Sequence, residues 1–172
     1  MDTKSKIIAF LVGVFSKEVV VVLLAMLPIF ELRLSIPIAM LKFNMPAGKA
    51  FLLSILGNML PVIPLLLFLR WAVVRLEHLR FIGKILMWWF KKAEAKSKVI
   101  QTYGFWGLVI FVAIPFPGTG AWTGCVAATL FNFKLLRATI ACLLGVLIAG
   151  IIVLSLCGGL TQLLPFLSNK CV

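Results

Sequence analysis

With 172 residues, 63% of them apolar and 13% charged, the chain lies far outside the range of soluble proteins, which are about 45–50% apolar and about 25% charged. This excludes an ordinary water-soluble domain. The net charge of +12 in so apolar a chain is expected to flank a membrane and answer anionic headgroups, so membrane lipids rather than nucleic acid are the expected partner.

The N-terminus carries two lysines and an apolar run over residues 7–15, which suggests a signal peptide. No A-x-A-like cleavage site follows, and Lys17 and Glu18 open a second apolar run instead, so the segment is read as retained. Residues 18–27 form an apolar arm. Residues 28–37, PIFELRLSIP, are a proline-bounded break with two charges, and residues 38–45 make a second, shorter arm. Residues 48–69 are long enough to span, since crossing takes about 20 apolar residues.

Residues 70–98 carry eight of the seventeen basic side chains. Glu77, Arg80, Lys84, Lys91, Glu94 and Lys98 recur at helical spacing opposite Leu79, Ile82, Leu86, Trp89 and Phe90. That pattern predicts a basic amphipathic linker helix lying on the bilayer. His78 stands alone beside Glu77 and is assigned no role.

After the linker, residues 99–133 contain no charge, yet Pro115-Phe116-Pro117-Gly118-Thr119-Gly120 divides them into two arms. Each arm offers roughly 20 Å of helix, short of a hydrocarbon core of about 30 Å. Two prolines and two glycines forbid one continuous helix. The predicted solution is a re-entrant hairpin, whose irregular tip must be buried in protein or line a wet cavity. Residues 134–156 are the second span, and residues 157–172 form a C-terminal tail.

A shift of 88 residues lays Phe43-Asn44 on Phe131-Asn132, Lys49-Ala50 on Arg137-Ala138 and Leu56-Gly57 on Leu144-Gly145. Both copies follow a proline-rich break at the same distance, which marks an internal repeat. One crossing plus one returning hairpin lies between them, so the second copy is inserted upside down, the inverted plan of many secondary transporters. The expected fold is therefore an all-α integral membrane protein. It consists of one membrane domain with a first hairpin and span (residues 18–69), the linker (70–98), a second hairpin and span (99–156) and the tail. Ten basic residues on the linker side against six on the other place the linker in the cytoplasm, and the expected location is the inner membrane of the cell, crossed more than once. A chain of this length is too small for a large carrier, so a homo-oligomer, most simply a dimer, is expected.

Glu31 is the sharpest position for chemistry. It is the sole acid between Glu18 and Glu77, placed where the first hairpin turns, and an ionised carboxylate at membrane depth costs on the order of 2.5–3.5 kcal/mol. Arg33 is its evident partner. Two readings stand side by side: a proton carrier or substrate contact, or a surface ion pair on a shallow hairpin. The second tip offers helix N–H groups, Gly118 and Gly120 for close backbone approach, Thr119 for a hydroxyl and Trp122 for a wall; alternatively, it is a tight turn packed by small residues. Asn58, followed by Pro61 and Pro64, lines a cavity or bonds a carbonyl freed by Pro61. Lys49 and Arg137 are repeat-related at the two span starts, where they are expected to snorkel to headgroups and secondarily to guide an anion. Cys125, Cys142, Cys157 and Cys171 lack metal-ligand spacing and are read as packing residues, with no metal or cofactor expected. H-E-x-x-H, G-x-S-x-G and Walker loops are missing, which argues against an enzyme.

E-L-R-L-S-I-P at residues 31–37, G-N-x-x-P at 57–61 and P-F-P-G-T-G-A-W at 115–122 resemble the signatures of the small multidrug export proteins. That family is similar to the wider DedA/VTT group, built from two facing re-entrant hairpins. The resemblance runs over roughly residues 18–156. It departs at Leu34, where a glycine is expected after the arginine, leaving the tightness of the first turn open. It implies proton-linked handling of lipids such as undecaprenyl phosphate as much as drug export, with Glu31 carrying the proton and Arg33, Pro37, Asn58, Pro115, Pro117, Gly118, Thr119, Gly120 and Trp122 around the substrate. The leading expectation is a proton-coupled transporter or flippase of a phosphate-bearing lipid. The alternatives are an exporter of lipophilic cations, for which Glu31 is the counter-ion, and a non-transporting membrane assembly protein.

Overall fold

The structure is a computed structural model describing residues 13–76, 98–114 and 119–168. The amphipathic linker, the signal-like segment over residues 1–12 and the Pro115, Pro117 and Gly118 positions lie outside these described residues. Every regular element among the described residues is helical: α1 (Lys17–Met26), α2 (Glu31–Pro37) running into a π-helical turn (Ile38–Lys42), α3 (Ala47–Met59), α4 (Val62–Leu76), α5 (Lys98–Ala113), α6 (Ala121–Leu130) and α7 (Leu135–Ser168). In a chain this apolar, helices satisfy their backbone groups internally, which a hydrocarbon environment demands.

Two stretches are long and apolar enough to cross a membrane, Ala47–Val73 and Leu135–Gly158, in agreement with the spans expected from sequence. The first holds a turn at Leu60 and Pro61 between α3 and α4. Large apolar side chains point outward in stripes: Leu52, Leu56, Leu60, Ile63, Leu67 and Trp71 along the first span, and Tyr103, Trp106, Ile110 and Ile114 along α5. Contiguous apolar surface of this kind suits lipid rather than water.

The chain divides into two compact units, one comprising Met1–Asn58 with Gly150–Val172 and the other Met59–Ala149. In the first unit, Val20, Val21, Leu24, Phe30, Ala39, Phe43, Met45 and Ala50 form a buried cluster. Helices α1 and α3 run parallel: Lys49 pairs with Glu18 at one end at 2.7 Å, and Gly57 meets the Val22 carbonyl oxygen and Ala25 at the other. A Cβ at Gly57 would run into that backbone, so glycine alone permits the approach.

The sequence predicts that the break lasts until Pro37, but the structure corrects this. The break occupies only residues 27–30, and the next helix starts at Glu31 and runs through Pro37. Proline removes one N–H and crowds the preceding turn. The chain absorbs this by widening into the π-helical turn, closed by the Phe43 N–H donating to the Ile38 carbonyl at 3.2 Å. Such local adjustment is how membrane helices tolerate proline.

In the second unit, α4 and α6 are parallel and in register. Cys125 Sγ donates to the Val62 carbonyl at 3.9 Å, and Arg70 donates to the Phe133 carbonyl, both contacts joining residues 63 apart. Helix α6 is lined with buried small residues, Ala121, Gly124, Cys125, Ala127 and Ala128, which let neighbours approach closely. Val112 of α5 fits against Gly124 of α6 and Gly145 of α7. The α5 arm carries a kink that the sequence reading lacks, at Gly104 with φ 53 and ψ −120. A left-handed φ with open space around the Cβ position makes this a conformational demand for glycine rather than a packing one.

Backbone details recur at the 88-residue offset. Asn44 and Asn132 both take φ 51, ending α2 with its π-helical turn and α6 in the left-handed region where asparagine substitutes for glycine. The next helices then begin alike, with Ala50 N donating to Pro46 O at 3.0 Å and Ala138 N to Lys134 O at 2.9 Å.

Candidate functional site

Within the first unit, polar side chains that the apolar arms bury fall into one ladder. Glu31 and Ser35 lie one turn apart on α2, and Ser54 and Asn58 lie one turn apart on α3, so each pair shares a helix face. All four are buried, Glu31 at 8% exposure and Asn58 at 3%. Ser35 Oγ lies 2.8 Å from Ser54 Oγ and 3.4 Å from the Leu32 carbonyl. With α1 and α3 parallel and α2 folding back from α1, α2 runs opposite to α3, so the serine contact turns the Glu31 end of α2 toward the Asn58 end of α3.

Asn58 stands eleven residues beyond Ala47, and so near the middle of the apolar stretch Ala47–Val73. Glu31 itself adopts φ 45, a conformation uncommon for a residue with a side chain. The left-handed residue at the first tip is thus Glu31, which accounts for a turn without glycine at Leu34. Non-glycine residues held in this way cluster at functional sites. Arg33, two residues on and half-buried, feels the Glu31 charge directly. Asn58 Oδ1 is buried without a hydrogen-bond partner, which distinguishes it from the other members of the ladder.

The remaining site expectations distribute differently. Pro37 lies inside α2 and is half-buried. Thr119 Oγ1 donates to the Ile114 carbonyl at 2.7 Å, tying the two ends of the second tip together, so its proton is engaged within the turn. Gly120 has φ 140 and is the N-cap of α6, a position that only glycine adopts without strain. Trp122 is half-buried behind it. Lys49 binds Glu18, with both side chains about half exposed, while Arg137 is exposed. The described residues hold no cluster of His, Cys, Asp or Glu suited to a metal. Sequence reasoning missed Ser35 and Ser54, although their four-residue spacing from Glu31 and Asn58 in otherwise apolar arms is the signal that finds them.

An offset of 88 in sequence gives the four positions of the ladder their counterparts. Glu31, Ser35, Ser54 and Asn58 correspond to Thr119, Thr123, Cys142 and Val146. Thr123 Oγ1 bonds the Gly120 carbonyl at 3.3 Å, and Cys142 and Val146 are fully buried. These positions are also buried at Cys142 and Val146 but carry neither an acid nor an amide.

Comparison with curated proteins and with solved structures gives no match. The family model described as "Putative small multi-drug export protein" matches residues 31–152, from the buried glutamate through the ladder, the linker and both tips to the second span. With well over half of the chain inside that match, and with two helices fit to cross a bilayer, this is a membrane protein that belongs to the small multidrug export family.

Proposed function

We propose that the chain is a proton-coupled exporter of small lipophilic cations, crossing the inner membrane several times and working as a homodimer without enzymatic activity. The observation that carries the proposal is Glu31, a carboxyl buried in the family-matched segment, which this reading sets at mid-membrane depth. In a dry region a lone carboxylate is costly, whereas one that alternates between a proton and a cationic substrate is neutralised in both states. Export coupled to proton entry then needs only that the two ligands compete for one group.

The order of the two substrate readings reverses relative to the sequence expectation. A phosphate-lipid carrier rests on Arg33 together with the second tip, where Thr119 already donates its proton to Ile114. A lipophilic-cation exporter rests on Glu31 and agrees with the family's description. The inverted-repeat plan, with two re-entrant hairpins, belongs to this proposal. It is supported by the matched asparagine turns, the matched helix starts and the paired glycine contacts at Gly57 and Gly145.

The experiment is equilibrium binding to the purified full chain in lipid vesicles, with a lipophilic quaternary ammonium dye and, separately, a polyprenyl phosphate. The dye is expected to bind, to lose at least tenfold in affinity with Glu31→Gln and to keep its affinity with Arg33→Ala. Binding of the polyprenyl phosphate that Arg33→Ala abolishes, with no dye binding, would establish the phosphate-lipid reading instead.

A further inference from the structure

The unpartnered acceptor in the first unit calls for a physical account. A buried amide oxygen without a donor costs about 1–3 kcal/mol, and Asn58 Oδ1 is closed off from the surroundings of the chain. The other buried polar side chains of this unit among the described residues are those of the ladder, Glu31, Ser35 and Ser54. Ser35 donates to Ser54, and neither hydroxyl bonds Asn58 Oδ1. The group that the serine contact turns toward the Asn58 end of α3 is Glu31, and a carboxyl has a proton to donate only when it is neutral.

We infer that Asn58 Oδ1 is the acceptor for protonated Glu31, so that Asn58 is a positioning residue setting the proton affinity of the coupling carboxyl. The inference rests on the proposed proton role of Glu31. When the carboxyl is ionised, Arg33 supplies the compensating charge and the amide oxygen stands unused. When the carboxyl takes up a proton, its O–H turns to Asn58 Oδ1 and the orphan acceptor is satisfied. No bond other than O–H is made, and the proton comes from bulk water. The site thereby has a defined partner in each charge state, which lets a mid-membrane acid cycle without leaving a bare charge or a bare dipole.

Other ionisable groups on the neighbouring elements stand away from this pair. Lys17 on α1, Lys42 on the π-helical turn and Lys49 on α3 are exposed, and Glu18 on α1, half-buried, binds Lys49. Lys49 lies nine residues from Asn58, about 13 Å along α3. Residues 150–158 of α7, in the same unit, carry no charge. The second copy supplies the contrast: Thr119 and Val146 replace the acid and the amide, so the pair occurs once among the described residues.

The test is a pH titration of the Glu31 carboxyl by infrared difference spectroscopy on the full chain in vesicles, the band being identified by its loss in Glu31→Gln. Hydrogen bonding to the neutral form raises the midpoint. Asn58→Leu removes the acceptor and is expected to lower the midpoint by about one pH unit, a tenfold loss of proton affinity. Asn58→Ser retains an acceptor and should fall between. Asn58→Asp places a second acid beside the first and should raise the midpoint, so the sign of the shift tests the pairing even if the leucine variant does not fold. A Glu31 band with the same midpoint in all three variants overturns the inference and leaves the exporter reading in place. A Glu31 band absent at every pH overturns both.

Discussion

Two stretches of the chain 88 residues apart match in several backbone details and differ in what they bury. Each ends its returning helix on an asparagine at φ 51, starts the next helix at the equivalent position and brings a glycine of the long helix against the carbonyl of its arm, Gly57 on Val22 and Gly145 on Val109. Along the facing helices the first copy places Glu31, Ser35, Ser54 and Asn58, and the second places Thr119, Thr123, Cys142 and Val146. Packing therefore explains what is common to the halves, and chemistry explains what is not.

The most drastic way to break the comparison is through topology. If both copies contain a returning hairpin, single cysteines replacing Lys98 and Lys134 in a cysteine-free background react with an impermeant label from the same face of the membrane. Labelling from opposite faces would turn the second hairpin into a kinked span and end the equivalence of the halves. Next in size are the glycines. Gly57→Val and Gly145→Val force a side chain into backbone or into Val112, and each is expected to destabilise the chain by about 3 kcal/mol or more, read as a collapse of the thermal unfolding midpoint in detergent. A large loss at one position alone would show that the contacts are not equivalent.

Smaller effects sharpen the difference between the copies. Ser54→Ala leaves Ser35 without its 2.8 Å partner and should cost about 1 kcal/mol, whereas Cys142→Ala removes a packed thiol with no ladder partner and should leave the proton titration of the chain unmoved. A change in that titration with Cys142→Ala would place the counterpart positions in the site. At the bottom of the scale, Asn44→Ala and Asn132→Ala each place a Cβ-bearing residue without a polar side chain in the left-handed region and should each cost about 1 kcal/mol. Glycine at either position should be tolerated. Unequal losses measured by chemical unfolding would weaken the repeat.

The all-helical scaffold and its two long apolar stretches are legible from the chain, because length and hydrophobicity mark them. The spans appear where an apolar run of about 20 residues requires them. The first tip was read less well. Prolines at both ends of PIFELRLSIP suggested a break along its whole length, but the cost of Pro37 is met locally by a π-helical turn, a compensation that sequence does not announce. The Gly104 kink was invisible because a single glycine in an apolar run is compatible with a straight helix. For the site, Glu31 and Asn58 stood out individually as polar residues in apolar surroundings. Their relation did not, since it depends on the register fixed by Ser35 and Ser54, a contact between residues 19 apart. The role expected of Thr119 gave way for a similar reason: its hydroxyl satisfies its own turn.

The central claim, one proton-exchanging carboxyl in the first copy, is tested most directly by counting protons released when a lipophilic cation binds to the purified full chain in weakly buffered solution, at a pH where Glu31 is protonated. Binding that displaces a proton from a single shared acid releases about one proton per chain at saturation. Wild-type protein is expected to give that value, and Glu31→Gln to give none. Release that persists in Glu31→Gln, or cation binding to the wild type with no proton released, would contradict the account.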